Sequence, residues 1–216
     1  MTTARAEILA RVRRALADVD EPDPVRDVPV DWEYGRPLST ADVVADLVEK
    51  IEDYGARIVR VPAAAVPDAI VAALTEMEAS SVVLPPGLDG AWRAAIEAVA
   101  AVTADEPPLT ASELNAVDAV VTAAAVAMAD SGTIALDHGP DQGRRALSLV
   151  PDRHVCVVRV DQVVSAVPEG VARLAPAIRA GRPVTWISGG SATSDIELAR
   201  VEGVHGPRQL YVVLAD

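Results

Sequence analysis

The chain has 216 residues, half of them hydrophobic, so it can bury a full core as one large domain with room for an N-terminal appendage. Its net charge of −13 argues against a nucleic-acid binder, because neutralising phosphates requires a basic face, and against binding to an anionic membrane surface. An anionic substrate must therefore be bound by a local arrangement of arginines and backbone N–H groups.

Cysteine and histidine usage excludes several kinds of site. Cys156 is the single cysteine, whereas a disulfide needs two thiols and an ordinary iron–sulfur cluster needs four thiolates, so no cluster is expected in this chain. The histidines at 138, 154 and 205 lack metal-ligand spacing, and Walker A, GxGxxG and GxSxG sequences do not occur. Without a long apolar run or a signal peptide, we expect a cytoplasmic protein without a membrane partner.

The N-terminal part is predicted to be an appendage. Residues 3–18 form an amphipathic helix with an apolar stripe at a spacing of four, made by Ile8, Val12 and Leu16. Residues 20–37 are acidic and contain four prolines, which block helix and strand pairing and so predict a linker or extended arm. We divide the chain into residues 1–37 and an α/β domain, residues 38–216, and residues 3–37 are a candidate contact for a homo-oligomer.

From residue 38 onward, helical and strand patterns alternate, which predicts an α/β fold with a mostly parallel sheet between helices. Strands are predicted at 57–61, 81–84, 99–103, 117–122, 133–136, 154–160 and 183–187. Helices are predicted at 38–54, 67–78, 91–98 and 161–180, the last interrupted near Pro168. For the first of these helices, Ser39 or Thr40 is the expected N-cap and Gly55 the C-terminal stop.

The sequence ADSGTI, residues 129–134, lies between two apolar segments and has two interpretations. Asp-Ser-Gly is turn chemistry, so one interpretation is a β-turn between strands. In the other, Asp130 is a catalytic carboxylate at a sheet edge, and an anionic ligand binds to Ser131 and to the N–H groups of Gly132 and Thr133. A similar choice applies to the polar loop that ends in Arg144 and Arg145, which is either solvated or a clamp for a carboxylate or phosphate.

The stretch 187–216 combines the end of a strand, a small-residue loop, a short helix and a closing strand. Glycines in the loop let a ligand approach the backbone, and the free N–H groups of the following helix favour an anion. The alternative is a tight turn followed by a capping box at 194–197. The candidate ligand-binding residues here are Gly189, Gly190, Ser191, Thr193 and Asp195, and His205 is a candidate proton donor.

Three motifs in this order, at 129–134, 145–158 and 188–207, resemble the lactate utilisation protein C family, whose members carry a LUD domain. The resemblance implies a fold like that of sugar-phosphate isomerases and CoA transferases. It also implies a place in a three-component system that oxidises L-lactate to pyruvate, in which partner proteins alone carry iron–sulfur clusters. Where many relatives have Glu, this chain has Asp130, which weakens the analogy to the catalytic glutamate of CoA transferases.

Three functional hypotheses follow. In the first, the chain is a component of the lactate-oxidising system and binds a small carboxylate or a partner protein, because electron transfer needs a cofactor that its motifs do not provide. In the second, it is a stand-alone enzyme of the isomerase or CoA/acyl-transfer type on a small anionic substrate, with Asp130 as acid/base or nucleophile. Gly189, Gly190 and Ser191 would then hold the anion, with Arg145 and His205 in support at the same pocket. In the third, residues 3–37 serve only as a surface for another subunit.

Overall fold

The structure of the protein is a computed structural model, which describes residues 3–21, 23–30, 33–193, 201–202 and 206–216. The chain divides into two compact units, Met1–Tyr34 and Gly35–Asp216. The helices are α1 (Ala4–Ala15), α2 (Pro24–Asp27), α3 (Val43–Asp53), α4 (Val66–Glu76), α5 (Gly90–Glu97), α6 (Ala111–Asn115) and α7 (Val167–Arg179). Within the described ranges, none of them is both long and apolar enough to cross a membrane.

The described strands form a six-stranded main sheet, a four-stranded second sheet and one short pair. They are β1 (Arg57–Val61), β2 (Ser81–Leu84), β3 (Ala101–Ala104), β4 (Ala119–Ala123), β5 (Val126–Met128), β6 (Thr133–Leu136), β7 (Arg153–Arg159), β8 (Val163–Val164), β9 (Thr185–Ile187), β10 (Ala192–Thr193), β11 (Val201–Glu202) and β12 (Gln209–Ala215). The main sheet has the order β1-β12-β7-β4-β2-β3, and every neighbouring pair in it is parallel.

The all-parallel main sheet confirms the predicted fold class. Its central strands are continuous apolar runs because both of their faces are covered, which is the usual condition of parallel sheets. Every residue of β4 is buried, and so are the five middle residues of β7. On one face, helices α4 and α5 share a buried cluster with the sheet, which includes Ile70, Leu74, Ile96, Val121 and Val213. Each such side chain contributes about 1.5–3 kcal/mol by leaving water.

The other face of the main sheet carries helix α3 and a second sheet of order β8-β5-β6-β9. Strands β5 and β6 pair antiparallel, as do β6 and β9, whereas β5 and β8 are parallel. The buried cluster between the two sheets includes Ile134, Leu136, Cys156, Val158 and Val212. Helix α7 covers the outer side of the second sheet, where Leu174 shares a cluster with Met128 and Ala135.

The prediction of a helix over 161–180 is wrong at its start. Residues 163–164 form β8 because they pair with β5, and Gln162 holds the chain beside that strand: its side-chain amide donates to the Ala124 carbonyl at 2.6 Å, and its Oε1 accepts the Arg159 N–H at 2.9 Å. Helix α7 begins only at Val167. Pro168 therefore lies in the first turn of α7, where no N–H is needed, and starts the helix rather than interrupting it.

Two other local predictions differ from the structure. The N-cap of α3 is Asp42, not Ser39 or Thr40, and its carboxylate accepts the N–H of Val44 at 3.0 Å. The extended arm at 20–37 contains the short helix α2, because Pro24 fits the first turn and the preceding residue, Asp23, caps it. The predicted end of α3 at Gly55 is confirmed, since this residue adopts φ +74° just after the last turn.

Asp118 joins the amino ends of β2 and β4. One of its carboxylate oxygens accepts the backbone N–H and the hydroxyl of both Ser80 and Ser81, each at 2.9 Å. Arg153, at the start of β7, lies 3.7 Å from the other oxygen. The serine hydrogen bonds stabilise the charged form and, against the opposing effect of burial, hold the pKa of Asp118 at about 2.

Replacing this carboxylate should give a pH-dependent loss of stability. Because the folded-state pKa lies below the unfolded value, the stabilisation is present at neutral pH and is lost as pH falls from about 4 toward 2. With the side chain 32% exposed, we expect Asp118→Ala to lower the free energy of unfolding by about 1–2 kcal/mol at neutral pH and by much less near pH 2. Urea denaturation checks this. The matched control is Asp161→Ala, an exposed carboxylate paired with Arg159, for which we expect a change below about 0.5 kcal/mol.

The thiol of Cys156 should be inert in the folded protein. It is fully buried between the sheets, and burial raises its pKa to about 12, so almost no thiolate forms at neutral pH. We expect a disulfide reagent to modify it only after unfolding in urea, at one thiol per chain. An added surface cysteine, Asp161→Cys, should react within seconds to minutes in the folded protein. Equally fast reaction of native Cys156 would contradict its placement in the core.

Candidate functional site

A cleft of about 250 Å³ lies where β9 of the second sheet faces the first residues of β7 and β12. Its lining comes from both sheets and from the loops around 148–149, 188–191 and 206–207. From the sheets come Thr185, Trp186, Ile187, His154 and Leu210, and from the loops come Ser148, Leu149, Ser188, Gly189, Gly190, Ser191, Gly206 and Pro207. None of the described side chains lining the cleft carries a charge at neutral pH, so the donors that these residues offer to an anion are neutral.

The loop after β9 forms one wall of the cleft. A Cβ on Gly189, which has φ +85°, would lie 2.8 Å from the Cβ of Tyr54, and a Cβ on Gly190 would lie 2.4 Å from the Arg208 carbonyl oxygen. Both positions thus require glycine for close packing, independently of any ligand. Among the described residues, no acceptor pairs with the N–H of Gly189 or Gly190. This wall therefore contains two N–H donors without an acceptor in the described part of the chain.

His154 lies at the back of the cleft and is 1% exposed. Its Nε2 is 2.8 Å from the Thr122 hydroxyl, whereas its Nδ1 has no partner among the described residues. Burial lowers the pKa of this imidazole to about 4, so it is neutral at physiological pH. A buried nitrogen without a partner is costly, and one at the wall of a cleft is a natural contact for a bound molecule.

Thr185 brings a second histidine to the cleft. The hydroxyl of Thr185 lies 2.8 Å from His138 Nε2, and His138 Nδ1 lies 2.9 Å from the Gly143 carbonyl oxygen. The pKa of His138 is lowered, first by burial and then by the nearby positive charge of Arg145. Arg145 itself is exposed and does not line the cleft. Arg145, one of the two arginines of the predicted clamp, thus lowers the pKa of His138, which lies behind the cleft wall.

Arg144, the other arginine of the predicted clamp, is engaged elsewhere. Its guanidinium donates to both carboxylate oxygens of Asp105, at 2.6 and 2.8 Å, and to the Leu109 carbonyl at 2.6 Å. This bidentate pair lowers the pKa of Asp105. Arg144 thereby links the loop after β3 to the loop that precedes residue 145. It does not line the cleft.

The structure separates Asp130 from the cleft. Residues 129–131 form a 3₁₀ turn, and the exposed carboxylate of Asp130 accepts the Val167 N–H at 3.3 Å, at the start of α7. Its neighbour Ser131 has a buried hydroxyl without a partner among the described residues, and Gly132 at φ +58° packs against Lys50. Of this predicted group, Thr133 comes nearest to the cleft, since its hydroxyl lies 2.8 Å from that of Ser188.

The remaining candidates lie at the other end of the chain. Gly189, Gly190 and Ser191 line the cleft together, and the Ser191 N–H donates to the Pro207 carbonyl at 2.7 Å. Thr193 belongs to β10, which pairs antiparallel with β11. Asp195, His205 and the predicted helix with its capping box at 194–197 lie outside the described residues. The hypothesis of a stand-alone enzyme places Asp130, Arg145, Gly190 and His205 at one pocket. Of the three that the structure describes, Gly190 lines the cleft and the other two do not.

Sequence reasoning missed Thr185, Ser148 and the role of His154 as cleft residues. Thr185 lies in an apolar strand, and nothing in its sequence neighbourhood marks it. His154 carries a weak signal, because it is a polar residue that begins an otherwise apolar strand. Within the part of the chain that the structure describes, no three His, Cys, Asp or Glu side chains are grouped so that they could hold a metal ion.

Comparisons with known proteins agree with this architecture. The family described as LUD domain matches residues 44–215. A protein from Deinococcus radiodurans named Lactate utilization protein C is 49% identical over 211 residues, which is 98% of this chain and 95% of that one. The uncharacterised protein YkgG of Escherichia coli is 33% identical over 41% of this chain and 40% of its own.

A solved structure is similar along most of the chain. The crystal structure of a DUF162 family protein from Deinococcus radiodurans matches with a TM-score of 0.72 and 47% identity, covering 83% of this chain and 100% of that one. The LUD-domain match covers the whole α/β part described above, including both sheets and the cleft between them. The chain therefore belongs to the LUD-domain family.

Proposed function

We propose that the protein takes part in the utilisation of lactate and that the cleft between its two sheets binds a small carboxylate such as lactate or pyruvate. The biological role is supported by the near full-length similarity to a protein named Lactate utilization protein C. The ligand class is supported by one observation: three residues that line one small cleft have polar groups without a partner among the described residues, namely the Nδ1 of His154 and the N–H groups of Gly189 and Gly190.

The chemistry of these groups suits a small acid. Backbone N–H groups in a turn bind carboxylate oxygens without the need for a charged side chain, and they keep their geometry when the ligand leaves. The neutral imidazole of His154 is available to a hydroxyl or oxo group next to the carboxylate. A volume of about 250 Å³ is at the small end for ligand sites, as a three-carbon acid requires.

The proposal assigns electron transfer to partner proteins. Oxidation of a hydroxy acid to an oxo acid releases two electrons, which a cofactor must accept. One cysteine cannot supply the four thiolates of an ordinary cluster, so we propose that iron–sulfur proteins of the cytoplasm carry the clusters and that this chain works beside them. Residues 3–37 remain a candidate contact for such a partner or for a second copy.

The alternative of a stand-alone isomerase or CoA/acyl-transfer enzyme receives less support from the geometry. It needs Asp130 as acid/base or nucleophile beside an anion site. The carboxylate of Asp130 accepts a hydrogen bond at the start of α7 and does not line the cleft, whereas the glycines of the same hypothesis do. A catalytic group must come within hydrogen-bond reach of the atoms that react.

Ser188 and Ser131 provide a matched test. Ser188 lines the cleft, whereas Ser131 does not. We expect Ser188→Ala to weaken the binding of L-lactate or pyruvate about 2- to 10-fold, the usual effect of losing one neutral hydrogen bond, and Ser131→Ala to leave affinity unchanged. Isothermal titration calorimetry measures both. The proposal of a carboxylate site fails if neither acid binds, or if Ser131→Ala alone weakens binding.

The proposed role among partner proteins has a separate test. A strain lacking this protein should grow on pyruvate but not on L-lactate, and the tagged protein should co-purify with iron-containing partners from lactate-grown cells. Re-introducing the intact chain should restore growth, and re-introducing residues 38–216 alone tests whether residues 3–37 are needed for association. Normal growth of the deletion strain on lactate, together with the absence of any iron-containing partner, would contradict the role.

A further inference from the structure

We infer that Thr185 makes the cleft select a hydroxy acid over the corresponding oxo acid. The Thr185 hydroxyl donates its hydrogen to His138, so the Thr185 oxygen can only accept a hydrogen bond from a molecule in the cleft. This inference rests on the proposed binding of a small carboxylate in the same cleft. It assigns a specificity role to two residues, Thr185 and His138, that lie at the wall of the cleft and behind it.

The hydrogen-bond partners of His138 fix the position of its proton. A carbonyl oxygen only accepts, so the contact of 2.9 Å between Nδ1 and the Gly143 carbonyl requires that Nδ1 carries the hydrogen. In the neutral ring, Nε2 then has a lone pair and no hydrogen. The Thr185 hydroxyl, at 2.8 Å from Nε2, must therefore donate to it.

The surroundings keep the ring neutral. Burial disfavours the charged imidazolium, and the guanidinium groups of Arg145 and Arg182 oppose it further. Asp137 and the hydrogen bond to the Gly143 carbonyl act in the other direction, yet the pKa of His138 remains below its ordinary value. Arg182 also pairs with Asp137 at 2.8 Å, which offsets part of that negative charge. His138 is thus neutral at physiological pH.

The loop that carries His138 is built to hold the ring in place. The buried side chain of Gln142 accepts the N–H groups of Asp137 and His138, at 2.7 and 3.1 Å. His138 adopts φ +55°, a conformation that few residues other than glycine keep without support from their surroundings. Gly143, whose carbonyl orients the ring, has φ +68°, and a Cβ there would lie 2.5 Å from Leu147.

Thr185 is equally well fixed. It begins β9, pairs with Leu136 in the second sheet and is 6% exposed. Its single hydroxyl proton is directed to His138, so only lone pairs of its oxygen remain for a molecule in the cleft. The hydroxyl of a hydroxy acid can donate to that oxygen. The carbonyl of an oxo acid cannot, and it would face the threonine oxygen with a second acceptor.

Protonation of His138 should weaken this preference. The imidazolium has hydrogens on both nitrogens, so Nε2 would donate to the Thr185 oxygen and the hydroxyl proton would turn toward the cleft. An oxo acid would then find a donor. Since the pKa is lowered from the ordinary histidine value of 6.5, the change in preference belongs to acidic pH.

The test compares L-lactate with pyruvate by isothermal titration calorimetry on the intact chain. We expect the wild-type protein to bind lactate at least about tenfold more tightly near pH 8, Thr185→Val to bring the ratio of the two dissociation constants close to one, and Thr185→Ser to preserve it. The ratio should fall as the wild-type protein is titrated toward about pH 5, and Thr185→Val should show no such pH dependence.

The outcomes separate this inference from the proposed function. Binding of both acids with equal affinity, or a preference for lactate that survives in Thr185→Val, overturns the selective role of Thr185 while leaving the carboxylate site intact. If neither acid binds the wild-type protein, the proposed ligand and this inference are both overturned. Circular dichroism and the melting temperature of each variant show whether it is folded, and Thr185→Ser, which keeps the hydroxyl, provides the rescue.

Discussion

The packing of the second sheet onto the main sheet is the constraint on which the rest of the structure depends. Ile134 and Leu136 of β6 share a buried cluster with Cys156 and Val158 of β7, and no polar side chain of β6 interrupts this contact. The same contact places β9, the neighbour of β6, opposite the first residues of β7. The cleft is what remains open where the apolar contact between the sheets ends.

Because the cleft lies between two sheets, its polar groups come from parts of the chain that are distant in sequence. His154 belongs to β7, Thr185 to β9, and His138 to the loop after β6. His154 and Thr185 are fixed by the strand pairing of their own sheets, whereas His138 is fixed by hydrogen bonds within its loop, from Gln142 and to the Gly143 carbonyl. This is the kind of support that a site needs if hydrogen bonds alone are to distinguish similar ligands.

The sequence predicted the main sheet well because strongly periodic and continuously apolar segments leave little choice. The prediction for 57–61 coincides with β1, and that for 81–84 with β2. Two strands of the second sheet were also predicted, at 133–136 and 183–187, but not their separation from the main sheet, since β8 has two residues and is defined by its pairing with β5 rather than by any local pattern. For the site, the chemistry of the loop predicted Gly189 and Gly190 as cleft residues. Thr185 could not be predicted, because its role depends on a contact with His138, which is distant in sequence.

The cleft lies at the first residues of β7 and β12, away from the usual ligand position of a parallel sheet. Ligands of parallel sheets usually bind beyond the carboxyl ends of the strands. Here the loop 137–143 covers those ends: the Gly87 N–H donates to the Pro140 carbonyl at 2.9 Å, and the Ala123 N–H donates to the Asp141 carbonyl at 3.1 Å. His138, from the same loop, contacts Thr185 at the wall of the cleft, with its Nε2 at 2.8 Å from the hydroxyl. In a protein with a net charge of −13, the proposed binding of a small acid between the sheets would depend on the direction of individual protons, because the described side chains that line the cleft are neutral.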